Sequence, residues 1–187
     1  MATQLFPDVH IIIVPGLHDS SEGHWQSRWQ RHLPACSRVR QDNWAQPDLA
    51  SWAARLDQVR ARDRRPALIV AHSFGCLTSV ASIARDPANV AGLLLVAPAD
   101  PDKFGVANRL PALPLPCPSL VVASSNDPWM HAARAADWAA RWGSELVEAG
   151  PLGHINADSG LGDWPAGLRL LHALAEKAHN ERLALLA

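Results

Sequence analysis

The chain is poor in cysteine, holds only two lysines, and lacks both a long apolar run and an excess of charge of either sign. Its three cysteines, Cys36, Cys76 and Cys117, are odd in number, far apart and without a C-x-x-C pair. That argues against a disulfide framework and a thiolate metal site, and leaves three free, half-buried thiols as the expectation. The longest uncharged apolar runs are strand-length, short of the roughly 18 residues a membrane helix needs. Seventeen basic residues scattered among 18 acidic ones give a net charge of −1, so no electrostatic footprint for nucleic acid or an anionic membrane is present. The opening Met1 to Asp8 has neither a basic segment nor an apolar leader core, and a cytoplasmic protein is expected. Nucleotide binding is disfavoured too, because the glycines form neither G-x-G-x-x-G nor a G-K-[ST] ending.

What is present is a regular alternation of apolar runs and helical patterns within 187 residues, 48% of them hydrophobic, which predicts one domain over residues 1–187. Strand-like runs recur at His10 to Val14, about Ser37 to Gln41, Ala67 to Ala71, Val90 to Ala97, Ser119 to Ala123 and Glu145 to Glu148. Between them, Trp25 and Trp29, Trp138 and Trp142, and the set Leu49, Trp52, Leu56 and Val59 recur at helical spacing, which predicts core-facing helix stripes. Strands alternating with helices imply an α/β fold with a parallel sheet and helices on both faces. In such sheets ligands bind beyond the carboxyl ends of the strands, which directs attention to the loops that follow them.

The loop after the third run is Ala71-His72-Ser73-Phe74-Gly75, leading into a helical stretch. A serine on a strand-to-helix turn, flanked two residues away on each side by small residues, has the form of a nucleophile elbow. The small flanks matter because a strained, tight turn leaves no room for side chains there. An ordinary turn with Ser73 as a helix cap is the plainer alternative. The loop after the first run, Pro15-Gly16-Leu17-His18-Asp19, places a glycine where the chain must turn sharply. His18, Asp19 and His24 are metal-ligand types, but no further ligand at fitting spacing accompanies them, so no metal is expected. After the fifth run comes Asn126-Asp127-Pro128-Trp129, and after the sixth Gly153-His154. Asp127 is placed for an acid, with capping of the next helix as its plainer role. Asp100 and Asp102, beyond the fourth run, are alternative acids.

Ser73, Asp127 and His154 follow the chain order serine, acid, histidine of α/β-hydrolases, each after a separate strand. That arrangement predicts the hydrolase sheet without its first two antiparallel strands, about six parallel strands in order 2-1-3-4-5-6. From His10-Ile11-Ile12-Ile13-Val14-Pro15-Gly16 through Gly23-His24-Trp25, Ala71-His72-Ser73-Phe74-Gly75 and Asn126-Asp127-Pro128 to Gly153-His154, the chain resembles the small serine hydrolases of the retinoblastoma-binding protein 9 and bacterial YdeN type. The resemblance implies a compact fold without a cap domain and a Ser73, His154, Asp127 triad; Ala71 departs from the family's usual glycine.

The chemistry expected is ester or thioester cleavage without a cofactor, with backbone N–H groups of Phe74 and Leu17 as oxyanion donors. Gly16, His18 and Trp129 are the candidate substrate-binding residues, and Leu17, Phe74 and Trp129 are expected to make the cleft walls apolar. The proline-rich stretch from Pro98 to Pro118 is too short for a lid. An open cleft of this kind predicts small ester substrates with short acyl chains. The contrasting reading is a hydrolase-fold interaction protein using exposed residues near His18 to Trp25 and Trp44 to Trp52.

Overall fold

In the computed structural model, which describes Phe6 and residues 8–185, six strands form one all-parallel sheet. Met1 to Leu5 and Pro7, within the segment discussed above for a leader, lie outside the described residues. The strands are β1 (His10–Val14), β2 (Cys36–Arg38), β3 (Ala67–His72), β4 (Val90–Val96), β5 (Ser119–Ala123) and β6 (Glu145–Glu148). Their order is β2-β1-β3-β4-β5-β6, as the hydrolase pattern predicts. Five helices complete the alternation: α1 (Trp25–His32), α2 (Leu49–Arg60), α3 (Phe74–Arg85), α4 (Ala132–Arg141) and α5 (Pro165–Ala184).

Period-two alternation along the strands feeds two cores. Ile12, Val14, Ile69, Ala71, Leu93 and Val121 pack under α2, α3 and α4, with Trp52, Leu56, Leu77 and Trp138 facing them. Ile11, Ile13, Leu68, Val70, Leu94 and Val122 pack on the opposite face under α1 and α5, against Trp25, Trp29, Trp164 and Leu171. The tryptophan stripes are therefore core, and each fully buried large side chain contributes on the order of 1.5–3 kcal/mol. Burial on both faces is why β1 and β3 read as uninterrupted apolar runs rather than alternating ones.

Two sequence expectations shift. The edge strand runs Cys36–Arg38 instead of about Ser37 to Gln41. Its pairing ends when Val39 N–H donates to Ile13 at 2.9 Å, because β1 stops at Val14 and Pro15 has no N–H to continue a ladder. Cys76 is wholly buried rather than half-buried, with its thiol 3.4 Å from the Val96 carbonyl oxygen, while Cys36 and Cys117 are half-buried as expected. Trp25 and Trp52 are interior, as their helical spacing predicts, and half-buried Trp44 packs edge-on against Trp52. Among the described residues no helix is long and apolar enough to cross a membrane.

Candidate active site

Ser73 joins β3 to α3 with φ 54° and ψ −125°, a conformation that non-glycine residues occupy only when their surroundings hold them there. Those surroundings are backbone. Ser73 N–H donates to the Val96 carbonyl at 3.1 Å, and the Ser73 carbonyl accepts the Cys76 N–H at 3.0 Å. The two flanking glycines permit the approach: a Cβ on Gly75 would meet Val14 and Pro15 carbonyl oxygens at 2.3 and 2.6 Å, and one on Gly16 would meet Ser73 Cβ at 2.7 Å. Ala71 lies inside β3 and is fully buried, so its methyl group is part of the core and not of the turn.

Asp127 and His154 are brought to the same place by the loops after β5 and β6. His154 Nε2 lies 2.9 Å from Ser73 Oγ, and His154 Nδ1 lies 2.9 Å from Asp127 Oδ2. A neutral imidazole satisfies both at once, donating from Nδ1 to the carboxylate and accepting the serine hydroxyl at Nε2. The Asp127 side chain is 3% exposed, and its second oxygen accepts the Trp129 N–H at 2.8 Å. Its capping role is thus within its own turn; α4 begins five residues later, with His131 at its N-cap position. Asp100 and Asp102 both face Arg134 instead, Asp100 at 4.0 Å. The β5 loop also ties down the histidine loop, because Ser124 Oγ accepts Leu152 N–H at 2.9 Å and Asn126 Oδ1 accepts Gly153 N–H at 2.7 Å.

Neither the Leu17 N–H nor the Phe74 N–H donates a hydrogen bond within the described residues, and both adjoin Gly16, whose Cβ position is 3.2 Å from Phe74 N. Two N–H groups without an acceptor thus lie at residues that adjoin Gly16 and Ser73.

A cavity of about 500 Å³ opens over Ser73 and His154. Leu17, Ala99, Phe104 and Trp129 contribute apolar lining, while His18, Asp19, His24, His72, Asp100 and Lys103 contribute polar lining. Of the residues expected in the walls, Leu17, His18 and Trp129 are there. Phe74 is not: its ring is fully buried between Trp52 and Phe104, because α3 turns its first residue into the core. Gly16 acts from behind the wall by letting the loop approach the elbow. Phe104 and Lys103 escaped the sequence reading because the stretch from Pro98 to Pro118 has no periodicity; instead of a lid it forms a wall, with Lys103 Nζ donating to the Trp129 carbonyl at 2.6 Å.

The loop after β1 is held rigid by an ion pair between Asp19 and the largely buried Arg38, which also donates to the Ser20 carbonyl at 2.9 Å. His24 Nδ1 accepts Gln26 N–H at 3.1 Å, and burial, then neighbouring Arg38 and His154, bring its pKa down to about 4. Among the described residues no group of three His, Cys, Asp or Glu side chains is arranged to hold a metal ion.

Comparison with known proteins places this geometry in a family. A profile described as "Serine hydrolase" matches residues 11–173. A putative YdeN-like hydrolase from Pectobacterium atrosepticum is 40% identical, covering 94% of this chain and 95% of its own, with a TM-score of 0.91. The ydeN gene product from Bacillus subtilis is 20% identical, covering 88% and 97%, with a TM-score of 0.72. Est1E from Butyrivibrio proteoclasticus, seen with ferulic acid bound, shares the fold at 14% identity, 98% and 94% coverage and a TM-score of 0.67. No curated protein matches the chain. With the profile spanning most of its length and a YdeN-like hydrolase at 40% identity, the chain belongs to the serine hydrolase family and is a small α/β hydrolase of the YdeN type.

Proposed function

We propose that this hydrolase cleaves small carboxylic esters or thioesters through an acyl-enzyme on Ser73. The observation that carries the reading is the unbroken hydrogen-bonded line from Ser73 Oγ through His154 to the buried Asp127 carboxylate. Ser73 Oγ attacks the substrate carbonyl carbon while His154 Nε2 takes its proton. Asp127 holds the imidazole tautomer and stabilises the imidazolium that forms. Negative charge gathers on the former carbonyl oxygen, where the Leu17 and Phe74 N–H groups receive it; a single such donor is typically worth about 3 kcal/mol. Collapse of the intermediate breaks the bond to the alcohol or thiol, which leaves with the proton from His154. Water, deprotonated by the same nitrogen, then attacks the acyl carbon and releases the acid and free Ser73.

An open cavity with apolar lining from Leu17, Phe104 and Trp129 suits small water-soluble esters better than micellar lipid. Intact-mass labelling with a fluorophosphonate tests the proposal: one adduct mapping to Ser73 and absent from Ser73→Ala is expected, and no adduct on folded protein defeats it.

A further inference from the structure

Ile155, the residue after the proposed base, has φ +48°. For a β-branched side chain this is a true outlier, with a cost on the order of 1–3 kcal/mol that persists only where the surroundings over-determine the conformation. The Ile155 side chain is fully buried in the core between the sheet and α5, so the residue cannot relax by swinging outward.

The strain is held by two side-chain donors on consecutive carbonyls. His72 Nε2 is 2.9 Å from the His154 carbonyl oxygen, and Trp25 Nε1–H donates to the Ile155 carbonyl at 2.7 Å. A carbonyl only accepts, so His72 is the donor and its tautomer is Nε2–H. Burial, followed by the nearby His24 and His154, holds the His72 pKa well below the usual histidine range, which keeps it neutral. The His24 ring meets it edge-on at 4.8 Å and the Trp25 ring at 6.2 Å, which fixes the imidazole plane. One donor comes from β3, at the residue directly before Ser73; the other comes from the first turn of α1.

We propose that Trp25 and His72 are positioning residues that keep His154 on Ser73 by clamping two successive carbonyls of the histidine loop. The inference rests on the triad reading above. Because His72 and Ser73 are adjacent in the chain, the same short segment that presents the nucleophile also sets the height of the base over it. Neither residue hydrogen-bonds the reacting atoms in this role; each holds a backbone carbonyl of 154 or 155, and the His72 ring also packs against the His154 ring with centroids 4.9 Å apart. Loss of either donor leaves a carbonyl without a partner, partly buried at His154 and buried at Ile155, and frees a strained loop to relax, which moves the imidazole.

The test compares Trp25→Phe, His72→Leu and His72→Gln with wild type, using p-nitrophenyl acetate turnover, fluorophosphonate labelling and the low-field proton resonance of the His154 Nδ1–H. Trp25→Phe and His72→Leu are each expected to lower kcat by about 100-fold, the cost of misplacing a catalytic group by about an ångström. For Trp25→Phe, whose ring does not line the cavity, KM should stay within about threefold, because the clamp sets transition-state geometry; His72 does line the cavity, so its variants are compared with one another. His72→Gln, whose amide N–H reaches for the same carbonyl, should recover at least about tenfold over His72→Leu, a rescue that lost packing alone does not produce. The double variant Trp25→Phe/His72→Leu should lose less than the product of the single losses, since both act on one loop. Wild-type kcat in folded His72→Leu, or a Gln variant no better than Leu, overturns the proposal, and this pair decides alone should Trp25→Phe not fold. A wild-type protein that neither labels nor turns over defeats the triad reading instead. The resonance then judges the clamp: retained in His72→Gln and lost in His72→Leu supports it, and retained in both overturns it.

Discussion

A Cβ on Gly75 would lie 2.3 Å from the carbonyl oxygen of Val14, so the helix behind the nucleophile touches the first strand backbone to backbone. The elbow geometry depends on that contact. Gly75→Ala is expected to abolish soluble folded protein, since no flexible side chain is there to give way. Gly16→Ala faces Ser73 Cβ at 2.7 Å and Phe74 N at 3.2 Å, and should fold with the Leu17 loop pushed off the elbow. On the proposed mechanism its kcat falls by about 100- to 1000-fold, the loss seen when one oxyanion donor is removed. Circular dichroism and ester turnover on the two variants separate these outcomes.

The identity of the acid is decided by Asp127→Asn against Asp102→Asn. The first leaves the packing intact but favours the wrong imidazole tautomer, and kcat should drop by about 10⁴. Asp102 pairs with Arg134 at the surface, and its loss should change the rate by no more than about twofold. A reversed ranking reassigns the acid.

Acid should destabilise the fold from pH 6.5 downward. The folded-state pKa of His24 is about 4, brought there by burial and then by Arg38 and His154, against 6.5 in the unfolded chain. Between those values the unfolded chain binds a proton that the folded one refuses, so stability falls as pH falls through that window and levels off below about 4 for this group. His72 and His10, also lowered first by burial, act with the same sign. His24 alone accounts for up to about 3 kcal/mol. Urea midpoints between pH 7 and 4.5 should decline, and the decline should be shallower in His24→Gln; a flat profile in wild type contradicts the assignment.

Acyl length is the sharpest check on the cleft. Acetyl and butyryl p-nitrophenyl esters should have higher kcat/KM than the lauryl ester, because a cavity of about 500 Å³ without a lid encloses a short acyl group and leaves a long one in water. Faster turnover of the lauryl ester sinks the short-chain reading.

Much of this was legible before folding. The uncharged runs that became β1, β3 and β5 were visible because a strand buried on both faces must be apolar throughout, and the tryptophan stripes because a helix repeats every three to four residues. The elbow was legible for a steric reason, small residues at the two flanks of a serine. Less visible were the ends of the edge strand, which depend on where β1 stops offering partners, and the inward turn of Phe74, which is set by the packing of α3 against Trp52.

The sequence by itself determined the alternation and the chain order of serine, acid and histidine, since these are written in neighbouring residues and their periodicities, while the strand order was expected only from the α/β-hydrolase pattern that this chain order matches. Only the tertiary structure decided that Asp127 rather than Asp100 meets His154, that Phe104 replaces Phe74 in the cleft wall, and that Trp25 reaches the Ile155 carbonyl across 130 residues of chain. Periodicity reports which face of an element is buried, but not which distant donor will find which carbonyl. Such partners are chosen by the sheet order and the crossover of the helices, after the local rules have been satisfied.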